Sequence, residues 1–576
     1  MEAPAIRSAR WSAACLLAAL LPVTEAAAED GFHVTATTIV EWHADNRDSF
    51  DTNDDFLDVI NKINLSFGRG ILRTDLRVDT FTLVPIDPPG WTKEAPTGKT
   101  YSDDYRLERI TGVLRPHPSL ALTLGDLYAQ FGNGIALSLR KVDELGLETV
   151  LRGGRLDLSL GPVDLTVLGG VTNVNNLDPL DLYLVEDPLD RLAGVRSQIR
   201  LLDGRLSLGV HGVWCQPSRG DARSAQSWIA GGNAEAVLVP GRLLMGAELD
   251  HGWFQTLHVH AQHHPQRWRE PDGGTFEGYH TGFAAYLNLR ARAGPVSILA
   301  EGKWYDTFAL EGSLRYPGSQ ESLLFYSQPP TAERLDQEIE NFHTVVGGRV
   351  KVDVRLLSTL SLFANVSGGD YVSVVDVIRH RTRDEREDDP PLHLGQYLHV
   401  YGGLDVRWDL NRSTLSISGG WRGERDPEDV SDPDLGWHRK KVIAHGEAKL
   451  NLYLTGPWTL HVAFLHEWRT KREVHGDVEY NRGTHIMGVD WSGVVGVSVG
   501  FEYDTDPSLA YPGEESGPYY DMWRYHGWGR VRWVLREDLV LSVMGGTQRG
   551  GLKCVGGVCK ILPPFAGVRT ELVFRY

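Results

Sequence analysis

The sequence predicts a single large antiparallel, up-and-down β-barrel that crosses a membrane, with about 24 strands (about 22–26) and no N-terminal plug domain. Three observations predict it. Apolar and polar residues alternate with period two along the whole chain. Tight turns alternate with long polar loops. The chain closes on an alternating segment with a terminal aromatic residue.

Residues 1–28 have the build of a secretory leader. Arg7 and Arg10 make a basic start, Ser12 to Leu21 is small and apolar, and Ala26-Ala27-Ala28 offers a small-x-small cleavage site. The apolar run is shorter than the roughly 20 residues that a spanning helix needs, and no later stretch reaches that length without charges. Residues 29–576 then read as one barrel. No Pro/Ser linker, composition break or low-complexity tract divides them, although the length alone would suit several ordinary domains. A mean hydropathy of −0.26 is too polar for a bundle of membrane helices, but it suits strands that alternate between lipid and a wet lumen.

The strands follow from the alternation. In Gly395–Asp409, Leu398, Val400, Leu404, Val406 and Trp408 oppose His399, Tyr401, Asp405, Arg407 and Asp409. Lys441–Leu454 and Tyr519–Leu535 repeat the pattern, and all three are far longer than the five or six residues usual in soluble sheets. It begins as early as Phe32, Val34, Thr38, Val40 and Trp42, soon after the expected cleavage site. That leaves no room for a globular plug, and it argues against an energised, TonB-dependent receptor.

The connections carry the asymmetry of outer-membrane barrels, whose periplasmic turns are short and whose extracellular loops are long. Tight turns are expected at Asp203-Gly204, Pro240-Gly241, Gly294-Pro295, Asn411-Arg412, Gly456-Pro457, Ser492-Gly493 and Glu537-Asp538. Long charged loops are expected at Glu311–Glu340, Gly369–Leu394 and Asp504–Tyr519. An even strand number places both mature termini in the periplasm. Leu572, Phe574 and Tyr576 resemble the C-terminal assembly signal of such barrels. Trp42, Trp408, Trp421, Trp458, Trp468, Trp491, Trp523 and Trp533 fall near strand ends, where aromatic girdles sit.

A net charge of −18 makes nucleic acid a poor partner. Export through an oxidising compartment favours a disulfide between Cys554 and Cys559, with two free thiols as the alternative, and leaves Cys215 over. No His-Glu-x-x-His or phosphate-binding loop occurs, so no catalytic residues and no enzyme activity are expected. An enzyme acting on lipid or surface polymer is the remote alternative. No cofactor is expected, apart from one candidate site for Zn²⁺ or Cu²⁺. His258, His260, His263 and His264 crowd one loop, and His-x-His sets two imidazoles on one side of an extended chain. A solvated loop of incidental histidines is the plainer reading.

One stretch breaks the strand pattern, from Gly125-Asp126-Leu127-Tyr128-Ala129-Gln130-Phe131-Gly132-Asn133-Gly134 to Leu151-Arg152-Gly153-Gly154-Arg155. It resembles a segment of a family of uncharacterised bacterial outer-membrane β-barrels, a domain of unknown function. That family carries a similar Gly-Asp-x-Tyr-x-x-Phe-Gly-x-Gly and Leu-Arg-Gly-Gly. The resemblance implies a barrel and no particular activity. A more distant one, by fold alone, is to porin-like channels such as the alginate exporter. Physically, glycines interrupt strand pairing here, and the apolar run Ile135-Ala136-Leu137 needs cover while charges follow at once. A loop lying on the inner wall meets both demands. Asp126, Arg140, Lys141, Asp143, Glu144 and Arg152 are then the candidate residues of a pore constriction. An ordinary strand, loop and strand is the alternative.

The expected function is that of a porin-like, passive channel for small solutes or polymers. The alternative is a non-conducting barrel that serves as surface anchor or assembly platform for a lipoprotein or a secreted partner. Expected partners are outer-membrane lipid and lipopolysaccharide, with the barrel-assembly machinery during biogenesis.

Overall fold

Every backbone polar group that enters lipid needs a partner within the protein, and strands meet that demand only by closing on themselves. The computed structural model shows such a closure. It describes residues 31–44, 56–85, 104–142, 147–174, 177–178, 183–184, 189–218, 226–255, 279–306, 308, 310–314, 323–328, 330, 345–371, 395–425, 441–454, 456–473, 476–506, 524–555, 558–562 and 564–576. One 24-stranded sheet holds the barrel. The first strand, Phe32–His43, pairs antiparallel with Phe56–Arg69 on one side and with the last strand, Phe565–Arg575, on the other. Barrel strands run from 8 residues in Leu120–Leu127 to 16 in Trp458–Glu473. The strand number and the antiparallel up-and-down order agree with the alternation and turn count of the sequence. The leader and its cleavage site lie outside the described residues.

The faces of the wall are inverted relative to a soluble protein. Val350, Val366, Val400, Trp421, Ala444 and Trp468 are successive cross-strand partners, and most of this apolar row is exposed. The neighbouring row Ser367, His399 and Arg422 points inward and is buried. An exposed apolar belt around a polar interior is the pattern of a lipid-embedded barrel. Tryptophans bound the belt at two heights. Trp408, Trp458, Trp491 and Trp533 sit towards the tight turns, and Trp42, Trp421 and Trp468 towards the long connections. Trp458 and Trp468 share one strand and one face, and their separation along the membrane normal is roughly 25 Å, the height of a transmembrane apolar band. Trp523 lies outside the described residues. Both ends of the barrel chain lie at the tight-turn side, where Val34 and Tyr576 exchange backbone hydrogen bonds of 2.6 Å.

The expectation of a barrel with no N-terminal plug domain is not confirmed, and the described residues show a lumen that is partly filled. Two segments, residues 128–142 with 147–150 and part of 308–330, turn inward from the long-loop side and form an inner layer on the wall. The second belongs to the stretch read as the charged loop Glu311–Glu340. Its ribbon Glu311–Leu314 with Leu323–Phe325 stands apart from the barrel sheet, and Phe308, Leu310 and Tyr326 beside it are fully buried.

Candidate functional site

The site is the inner layer and the wall it covers. Along strands Leu151–Leu160, Val163–Thr172, Arg191–Leu201, Leu206–Gln216 and Ser227–Val239, lumen-facing positions should be polar. Near the long-loop end they are instead Leu151, Leu168, Leu192, Val213 and Ile229, all buried in one cluster. Outward neighbours such as Leu156, Val167, Val195 and Val210 are exposed, which fixes the faces. The apolar inner patch is stable because Phe131, Ile135, Ala136, Leu137 and Leu139 lie upon it.

The covering segment is a small folded unit. Strands Ala129–Phe131 and Leu137–Leu139 pair antiparallel around a turn in which Gly132 and Gly134 take φ of 53° and 89°. Only glycine adopts such angles without strain. Gly132 also rests on a carboxylate, since a Cβ there would stand 2.1 Å from Glu248 Oε1. Asn133 donates to Glu248 Oε2 from its backbone nitrogen (2.5 Å) and its side-chain amide (2.7 Å). The Arg155 guanidinium donates to the Tyr128 carbonyl at 3.0 Å. The second inward segment locks onto the first, with Ser138 N donating to the Tyr326 carbonyl and Gln328 N to the Gly134 carbonyl, each at 2.7 Å. The Tyr326 hydroxyl in turn donates to Asp190 Oδ2 at 2.7 Å.

At its far end the first segment is tied by charge. Glu148, buried, accepts from the Arg109 guanidinium and the Tyr128 hydroxyl, with Arg77 Nη1 at 3.6 Å. Arg77 is itself paired with Asp79. Burial and the adjacent Glu148 carboxylate push the Tyr128 hydroxyl up, so it remains a donor. A cleft of 430 Å³ opens beside this network, lined among others by Arg77, Arg109, Tyr128 and Arg155.

The constriction candidates fall in three groups. Asp126 and Arg152 form an ion pair with Arg152 Nε 2.9 Å from Asp126 Oδ1, and Asn173 joins it at 3.1 Å. The pair lies at the long-loop end of the wall, where Asp126 also lines the cleft shared by Arg77, Arg109 and Tyr128. There it binds strand Asp104–His117 through the Leu107 and Glu108 carbonyls. Arg140 and Lys141 lie on the inner layer. Arg140 is held by its backbone to Thr149, and burial lowers the pKa of its guanidinium. The Lys141 side chain is exposed. Asp143 and Glu144 lie outside the described residues, as do His258, His260, His263 and His264. Cys554 and Cys559 are directly opposed in the ribbon Gly551–Val555 with Val558–Leu562.

Sequence reasoning missed Glu148, Asn133 and the luminal trio His211, Glu248 and Asp250. It also missed the inward fold of the described residues within 308–330. One signal was present: apolar residues at lumen positions of consecutive strands imply something that covers them.

No protein-family model matches the chain, and no curated protein does. Solved structures with a similar barrel include the siderophore receptor PirA from Pseudomonas aeruginosa (TM-score 0.45, 9% identity, 96% of this chain and 81% of that one). The ferric citrate transporter FecA in its unliganded form is another (0.46, 11%, 96% and 79%). A BenF-like porin from Pseudomonas fluorescens Pf-5 matches over less of the chain (0.35, 10%, 68% and 93%). The barrel's own register, rather than these likenesses, defines the fold.

Proposed function

We propose that the chain is an outer-membrane channel that passes small solutes passively through its lumen, narrowed on one side by residues 128–150. Its tight turns and both chain ends face the periplasm in this reading. The observation that carries it is the placement of that segment: its apolar side is buried on the wall, and Lys141 is left exposed to the interior. A loop folded inward sets both the width and the charge of a water-filled barrel. The role is that of a transporter, with no chemical step.

Purified protein in planar bilayers should give discrete conductance steps. Arg140→Glu together with Lys141→Glu should shift the reversal potential towards cation preference, at unchanged barrel yield. Steps with unaltered selectivity in the double variant would remove the segment from the solute path.

A further inference from the structure

Two groups of lumen-facing side chains bring a histidine and two carboxylates together: Glu41, His43 and Asp58, and His211, Glu248 and Asp250. They differ in how their charge is met. In the first, the Arg569 guanidinium donates to Glu41 and supplies a cation. In the second, among the described residues, no lysine or arginine forms an ion pair with either carboxylate. His211 Nε2 lies 2.5 Å from Asp250 Oδ1 and 4.0 Å from Glu248 Oε1, and all three side chains have 0% exposure. Glu248 Oε1, Asp250 Oδ2 and His211 Nδ1 are buried and have no hydrogen-bond partner among the described residues. Buried carboxylates are normally paired or bound to a metal, and unsatisfied buried acceptors are rare in folded proteins.

The backbone around the trio is shaped to bring it together. His211, Gly231 and Asp250 lie in one cross-strand row, with the glycine in the middle. A Cβ at position 231 would stand 1.8 Å from Asp250 Oδ1, so any side chain there would part the histidine from the aspartate. Asn133 fixes the other oxygen of Glu248, the kind of outer hydrogen bond that orients a metal-binding carboxylate and leaves its second oxygen available.

We propose that His211, Glu248 and Asp250 bind one divalent transition-metal cation, and that this cation latches the inward segment to the wall through Glu248 and Asn133. Two carboxylates and a neutral imidazole carry the charge that a divalent ion cancels. One nitrogen and carboxylate oxygens suit Zn²⁺, Mn²⁺ or Co²⁺ better than Ca²⁺ or Mg²⁺, which prefer oxygen alone, or Cu⁺, which prefers sulfur. The donor atoms lie within 4.8 Å of one another, so small side-chain rotations bring them to the metal.

The test uses the full-length barrel in detergent, stripped with chelator, with His258, His260, His263 and His264 replaced by alanine so that the loop histidines cannot contribute. Titration with Zn²⁺ should show one equivalent bound and a rise in Tm. Glu248→Gln, Asp250→Asn and Gly231→Ala should each weaken binding by about 100-fold, the scale of a lost metal-site contact. Gly231→Ala keeps all three donors, so its effect reports their geometry. Heat-dependent gel migration identifies the variants that fold, and only those are scored. No Zn²⁺ bound at micromolar concentration, or unchanged affinity in the folded variants, would overturn the proposal. Conductance plays no part in this readout, so the site stands or falls apart from the channel reading.

Discussion

Glu148 holds the far end of the inner segment, and its charge serves two guanidinium groups at once. Glu148→Gln would leave Arg77 with Asp79 and take from Arg109 the carboxylate it pairs with. Breaking a buried pair costs about 3–5 kcal/mol, and partial exposure of Arg109 lowers that to about 2 kcal/mol here. The loss should fall on the segment rather than on the barrel, whose ladders do not depend on it. Limited proteolysis should therefore cut the variant within residues 128–150 while its gel migration stays that of a folded barrel. Resistance equal to the parent protein would show that the charge network does not anchor the segment. None of this was visible in the sequence. Glu148 lies only a few positions from Asp143 and Glu144, and nothing local tells a buried anchor from a solvated charge. The distinction comes from Arg77 and Arg109, which only the barrel's closure brings within reach.

At the scale of elements, the inner layer and the wall stabilise each other by apolar burial, and Cys215 reports on it. This unbridged thiol is fully buried in the same cluster as Phe131 and Leu137. Leu137→Asp sets an unpaired charge on that surface and should lift the layer. Maleimide labelling of Cys215 should then speed up at least tenfold, and an unchanged rate would contradict the packing described. The ribbon at the last long connection makes a second prediction. Its register opposes Cys554 and Cys559, and the non-reduced protein should yield one peptide mass with both thiols joined. Free thiols at both positions would reject the bond. Legibility differs sharply between the elements. The strand Gly395–Trp408 could be read almost to the residue, because period-two alternation is a local property. The ribbon within residues 308–330 could not. Phe308, Leu310 and Tyr326 are scattered among charges, and their burial depends on strands that lie far away in sequence.

The whole molecule is a closed wall of 24 strands. At a strand spacing of about 4.8 Å and a tilt of about 40°, a circular section would measure roughly 45–50 Å between backbones. Side chains alone cannot fill such a lumen, so what folds into it sets the free width that remains. Closure, strand count and the apolar belt were legible because each repeats many times along the chain. The contents of the lumen were legible only in part, since the break at Gly125–Arg155 pointed to one inward segment and concealed its companion. The most direct measurement is single-channel conductance of the parent protein beside a variant in which residues 132–146 are replaced by a short Gly/Ser bridge. Discrete steps in both, larger in the variant, are the predicted result. No conductance in either, or steps of equal size, would contradict a solute path narrowed by this segment.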